Sequence, residues 1–121
     1  MKKLIFCYGT LKRGFSNSHV MGKSKLLGEA KIQGFTMHSL SGFPALTIGT
    51  GEIHGEVYEV TDEATLKNIY RLEGYSGQRN SRENWYDTAD VNTPYGKAEL
   101  FYMKDKQRYE NYKIIENGIW Q

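Results

Sequence analysis

Only one stretch of this chain, residues 62–72, sets apolar side chains at helical spacing, so nearly everything else that must be buried has to be carried by strands. Its stripe is Leu66, Ile69 and Tyr70, with Thr61 or Asp62 as the cap and Glu63 in the first turn to complement the helix dipole. Elsewhere the apolar runs are short, rich in β-branched and aromatic residues, and broken by glycine. Nine tyrosines and thirteen glycines in 121 residues fit twisted, tightly turned strands better than a helical bundle.

Residues 2–8 read as a first strand with Leu4, Phe6 and Tyr8 on one face and Ile5 and Cys7 on the other, so both faces are expected to be covered. A polar, glycine-containing loop follows over 9–25. Residues 26–40, interrupted at Gly28 and Gly34, suggest one or two bent strands. Ser41-Gly42-Phe43-Pro44 is expected to turn, 45–48 to form a short strand, Gly49-Thr50-Gly51 to turn again, and 53–60 to form a strand. After the helix and a polar loop at 74–84, strands are expected at 85–92 and 97–103 around a type I turn at Thr93-Pro94-Tyr95-Gly96. The segment 112–120 is expected to return as a terminal strand. Together these elements predict an α+β fold, a curled or barrel-like mixed sheet with few flanking helices, occupying 1–121 as a single domain.

The composition, 39% hydrophobic and 25% charged, is that of one ordinary globular domain. At this length roughly two-thirds of the unfolded surface can be buried, so no disulfide or metal staple is needed. The one cysteine, Cys7, cannot form an intramolecular disulfide. The apolar run after Met1-Lys2-Lys3 is too short for a secretory signal, and no run of about 20 apolar residues could span a bilayer. A cytoplasmic location is therefore expected. The net charge of +2 is spread with mixed signs, and no strand face interleaves exposed aromatics with arginines, which argues against nucleic acid as a partner.

Continuing the helix stripe by three and four residues lands on Glu73. A glutamate there would be desolvated and close to the negative end of the helix, and both effects raise its pKa toward the range a general acid/base needs. The alternative is a frayed helix end whose glutamate pairs with Arg71 or Arg79 in solvent. The second candidate is Tyr8-Gly9-Thr10-Leu11, where glycine directly after a buried strand lets main-chain amides turn toward an anion. Its alternative is a plain strand-ending turn.

Other groups carry weaker signals. His19, His38 and His54 lack metal-pair spacing, and one cysteine leaves few zinc ligands, so no metal or cofactor is expected. Cys7 lies within a buried strand and reads as packing. Gly49-x-Gly51 followed by Gly55 misses the dinucleotide fingerprint by one position and precedes a strand, not a helix. Lys12, Arg13, Lys23 and Lys25 make a mildly basic region of the solvated kind.

The motifs Tyr8-Gly9-Thr10-Leu11-Lys12-Arg13-Gly14, Gly28-Glu29-Ala30 with Gly34-Phe35, Phe43-Pro44-Ala45-Leu46, His54-Gly55-Glu56-Val57-Tyr58-Glu59-Val60 and Arg71-Leu72-Glu73-Gly74-Tyr75 occur here in order. In that order they resemble the γ-glutamylcyclotransferase-like (AIG2-like) family, and Phe101-Tyr102 sits where a pocket tyrosine is usual. The resemblance implies a barrel of mixed strands and a pocket floored by the Tyr8, Gly9, Thr10 and Leu11 loop. It also implies a small γ-glutamyl substrate, release of 5-oxoproline without a cofactor, and Glu73 as the acid/base. Main-chain amides around Gly9, Thr10 and Leu11 would hold the γ-glutamyl group, with Tyr86 and Tyr102 as further substrate-binding residues. Two departures bear on the substrate. Tyr86 is followed by Asp87-Thr88 where many relatives carry a basic residue, and the loop 76–84 with Arg79 and Arg82 is peculiar to this chain. The rival expectation is a non-catalytic domain that uses the same pocket to bind a small acidic ligand.

Overall fold

The computed structural model describes residues 2–12, 14, 15 and 17–121; Met1, Arg13 and Ser16 lie outside the described residues, and with Arg13 one member of the basic loop region. Five strands form one sheet in the order β2-β3-β1-β5-β4, where β1 is Lys3–Cys7, β2 Lys25–Leu40, β3 Phe43–Val60, β4 Asp87–Thr93 and β5 Gly96–Tyr102. Only β1 and β5 pair in parallel; the other neighbours are antiparallel. Helix α1 spans Glu63–Glu73, and a single helical turn, α2, spans Lys106–Tyr109. The sheet is mixed, as expected, but it is not closed into a barrel: β2 and β4 are its two edges.

Alternation along β1 sorts the core. Ile5 and Cys7 pack with Val60, Ile69, Tyr86 and Phe101 on the face that carries α1. Phe6 and Tyr8 join Met37, Leu46, Ile53, Val57 and Leu100 on the other. Both faces are covered, so after Lys3 the central strand is apolar, and Ile5, Phe6 and Cys7 are buried, the larger side chains at about 1.5–3 kcal/mol each.

The expected turn at Gly49-Thr50-Gly51 is absent. β3 runs unbroken through it, and Phe35 of β2 pairs with both Ile48 and Gly51, so the intervening residues form a bulge. A Cβ at Gly51 would stand 2.8 Å from the Phe35 carbonyl oxygen, and one at Gly49 would collide with the Thr36 hydroxyl. These glycines permit close backbone approach, not chain reversal. The turn before β3 is reduced to Ser41-Gly42, because Phe43 already pairs with Leu40.

The tail is likewise not a strand. It makes one isolated bridge, His38 to Ile114, with main-chain bonds from Ser39 to Lys113 and from Ile115 to Met37, both 2.8 Å. Gly118, at φ 68°, then bends the chain so that its carbonyl accepts from the His54 amide at 2.9 Å. Pairing with the sheet edge ends after those rungs. Among the described residues no helix is long and apolar enough to cross a membrane.

Candidate active site

Helix α1 delivers Glu73. Asp62 caps it, accepting from the Ala64 amide at 3.2 Å and the Thr65 hydroxyl at 2.9 Å, and Ile69 is wholly buried on its inner face. One turn before Glu73, the Tyr70 hydroxyl donates to the Glu99 carboxylate at 2.5 Å. Glu99 is itself buried, and Lys3 stands 3.1 Å from it. Gly74 ends the helix at φ 64°, ψ 33°, its amide bonding the Tyr70 and Arg71 carbonyls. The following loop doubles back: Trp85 donates to the Gly74 carbonyl at 2.8 Å and Tyr86 to that of Glu73 at 3.2 Å. Glu73 is thus the last helical residue, pinned on both sides.

The Glu73 side chain opens into a cavity of about 270 Å³. Opposite it lie Cys7, Tyr8, Gly9, Thr10 and Leu11 from the end of β1, with Phe43, Pro44, Tyr86 and Phe101 completing the wall. Burial raises the Glu73 pKa from the ordinary 4.5 to about 7. The frayed-end alternative fails geometrically for Arg79, whose guanidinium is held by Asp90 at 2.9 Å and Thr88 at 3.0 Å.

The two tyrosines that line the cavity with Glu73 have their protons committed to main-chain carbonyls. Tyr8 donates to Phe101 at 2.5 Å and Tyr86 to Pro44 at 2.9 Å. Burial and the neighbouring Glu73 charge push both phenols upward, so they stay neutral donors. The Cys7 thiol is also pushed well up, chiefly by burial, which leaves it an unreactive packing group.

The loop floor is a tight turn, with the Lys12 amide bonding the Gly9 carbonyl at 3.0 Å. A Cβ at Gly9 would stand 2.8 Å from Pro44 Cγ, so glycine lets the loop lie against the Phe43-Pro44 segment. Asn17, absent from the sequence-derived set, also lines the cavity, and its amide group donates to the Thr10 hydroxyl at 2.9 Å.

Tyr102 needs correction as a pocket residue. It is not among the residues lining the cavity; it lies edge-on to Phe35, ring centres 5.9 Å apart, on the far side of β5. Strand alternation brings Phe101 to the Glu73 side instead. Leu72 and Trp85 were also missed. Both are exposed at the cavity rim, 42% and 62%, and the sequence signal for them was weak: large apolar residues outside any buried periodicity. Among the described residues no group of three or more His, Cys, Asp and Glu is placed to hold a metal ion.

A mixed sheet whose central strand ends in a glycine loop facing a half-buried, helix-terminal carboxyl defines a protein with a small-molecule pocket. The chain belongs to the family described as gamma-glutamyl cyclotransferase, AIG2-like, whose model matches residues 5–121. It is 34% identical over 116 residues to the gamma-glutamylcyclotransferase family protein YtfP of Escherichia coli, covering 96% of this chain and 94% of that one. A 39% identity over 84 residues relates it to the gamma-L-glutamyl-butirosin B gamma-glutamyl cyclotransferase of Niallia circulans, covering 69% and 53% respectively. The crystal structure of an uncharacterized protein from Pyrococcus horikoshii superposes with TM-score 0.77 at 29% identity, covering 97% of this chain and 88% of that one.

Proposed function

We propose that this protein is a cyclotransferase that converts a γ-glutamyl amide to 5-oxoproline and a free amine, with Glu73 as its general acid/base. The observation that carries this reading is a carboxyl facing the Gly9 loop across an open-mouthed cavity, its pKa raised to about 7 by burial. At neutral pH such a group exists in both protonation states, as a residue that must take a proton and return it requires.

The substrate brings its own nucleophile. Its α-amine can reach the γ-carbonyl carbon to close a five-membered lactam, so the reacting groups are tethered at high effective molarity. The α-ammonium gives a proton to ionised Glu73, and the nitrogen lone pair then forms the new C–N bond while the carbonyl π pair moves to oxygen. As the tetrahedral intermediate collapses, the C=O bond re-forms, the bond to the departing nitrogen breaks and Glu73 gives that nitrogen its proton. The carboxylate so regenerated takes the second proton from the ring nitrogen, leaving a neutral lactam N–H, and passes it to the freed amine, which departs as an ammonium. Main-chain amides of the Gly9-Thr10-Leu11 turn supply the donors for the substrate and for the developing oxyanion. Tyr102, outside the cavity, has no part in this, and Tyr86 shapes the wall through its bond to Pro44.

The test is mass-spectrometric detection of 5-oxoproline from a panel of γ-glutamyl amides, with wild type and Glu73→Gln compared side by side. Product from the wild type alone is expected, with a loss of at least about 100-fold in the variant. Equal turnover by the two proteins would remove Glu73 from the mechanism.

A further inference from the structure

The cavity distinguishes between departing amines by what its outer wall lacks. Among the described residues Glu73 is the one charged side chain lining it. The exposed residues of its lining, which form the outer wall, are Gly42, Leu72 and Trp85, with Phe43 half-buried beside them. Leu72 and Trp85 stand exposed at the rim although large apolar side chains there gain nothing from solvent, and both flank the carboxyl that would protonate the leaving nitrogen.

Among the described residues, two cations near the cavity, Lys12 and Arg79, are occupied elsewhere. Lys12, on the loop itself, turns away to the Trp120 carbonyl at 2.8 Å and stands over the Phe15 ring at 4.7 Å. Arg79 is tied to Asp90 and Thr88. Beyond Trp85 a second hollow carries Asp87, Lys104, Asp105 and Arg108, in which opposite charges are equal in number and Lys104 lies 4.0 Å from Asp87. That surface has no net attraction for an anion or a cation.

An amino-acid leaving group brings a carboxylate into this wall, and a polyamine brings a second ammonium. Either charge must lie against apolar side chains without a partner or swing past the exposed rim into solvent and give up contact with Trp85 and Leu72, and both outcomes disfavour it. An aromatic or aliphatic monoamine meets neither cost and covers Trp85 and Leu72. We propose that the departing amine carries an apolar group with no charge beyond the reacting nitrogen, seated on Trp85 and Leu72, so that the substrates are γ-glutamyl amides of aromatic or aliphatic monoamines. This rests on the catalytic reading above for the position of the reacting bond, but its test does not depend on turnover.

The experiment measures binding of γ-glutamyl-phenethylamide, γ-glutamyl-alanine and γ-glutamyl-putrescine to the Glu73→Gln protein by calorimetry. In parallel, 5-oxoproline release from the same compounds is followed with wild type. The phenethylamide is expected to bind at least about tenfold more tightly than either charged compound, and Trp85→Ala to lower its affinity about tenfold while leaving that of γ-glutamyl-alanine within about twofold. The same ranking in kcat/KM would support both readings. The ranking in binding without any 5-oxoproline would keep the apolar subsite and overturn the catalytic assignment. Product formed equally well or better from the alanine or putrescine compound, absence of measurable phenethylamide binding, or an equal loss of all three ligands in Trp85→Ala would overturn the apolar subsite.

Discussion

Glu73→Gln should change the pH dependence of stability in a direction opposite to that of most carboxylates. In the folded protein burial holds the Glu73 pKa near 7, whereas in the unfolded chain it returns to about 4.5. Below the lower value both states keep the proton, and the buried site loses nothing. Between the two values the unfolded chain has released a proton that the folded protein retains, so the folded state binds more protons and stability falls as pH rises. Above about 7 the loss is complete, and at 1.36 kcal/mol per pKa unit it amounts to about 3 kcal/mol. Glutamine has nearly the same shape and no charge to desolvate. The variant should therefore match wild type near the acid end of the window and exceed it by about 3 kcal/mol at around pH 8. Urea denaturation at several pH values across this range, with a common slope for both proteins, measures the difference directly. A difference that stays flat across the window would refute the claim that Glu73 is held desolvated. It would also remove the physical basis for its role in proton transfer.

Gly74→Ala should destabilise by about 2–4 kcal/mol, because a left-handed backbone costs about 1–2 kcal/mol and the new Cβ would overpack a site already filled by Trp85. That Cβ would stand 2.8 Å from Trp85 Cβ. Gly77 also has positive φ, at 94°, but nothing lies within 4 Å of where its Cβ would be. Gly77→Ala should cost only the backbone share, and equal denaturation midpoints for the two variants would mean that the Gly74–Trp85 contact is not tight. Tyr86→Phe leaves the Pro44 carbonyl without its side-chain donor and should destabilise by about 1–2 kcal/mol in the same assay. Because the Tyr86 proton is committed to Pro44, 5-oxoproline formation should fall less than about tenfold; a loss as large as that of Glu73→Gln would give the hydroxyl a direct role in the reaction.

Much of this architecture depends on short-range chemistry, and those parts were legible. A cap at Asp62, a 3.6-residue stripe through Leu66, Ile69 and Tyr70, and glycine after Glu73 specify a helix and the face on which Glu73 falls. Alternation in residues 4–8 likewise specified that the central strand would be covered on both sides. The turn expected at residues 49–51 and the tail strand expected at 112–120 failed for a common reason. Glycine between apolar residues announces unusual backbone, but whether it reverses a chain, bulges a strand or ends a pairing depends on the neighbour it meets.

What the sequence by itself determined is therefore the identity and facing of elements whose hydrogen bonds and periodicity are internal: helix α1, the central strand and the glycine loop after it. Tertiary structure alone decided which face of β5 meets Glu73, bringing Phe101 inward and Tyr102 outward, because that depends on the parallel register of β5 against β1. It alone brought Trp85 and Leu72 to the rim and turned Lys12 toward the tail. Above all it decided the proton affinity of Glu73, since desolvation is a property of everything that encloses a group and not of the residues beside it in the chain.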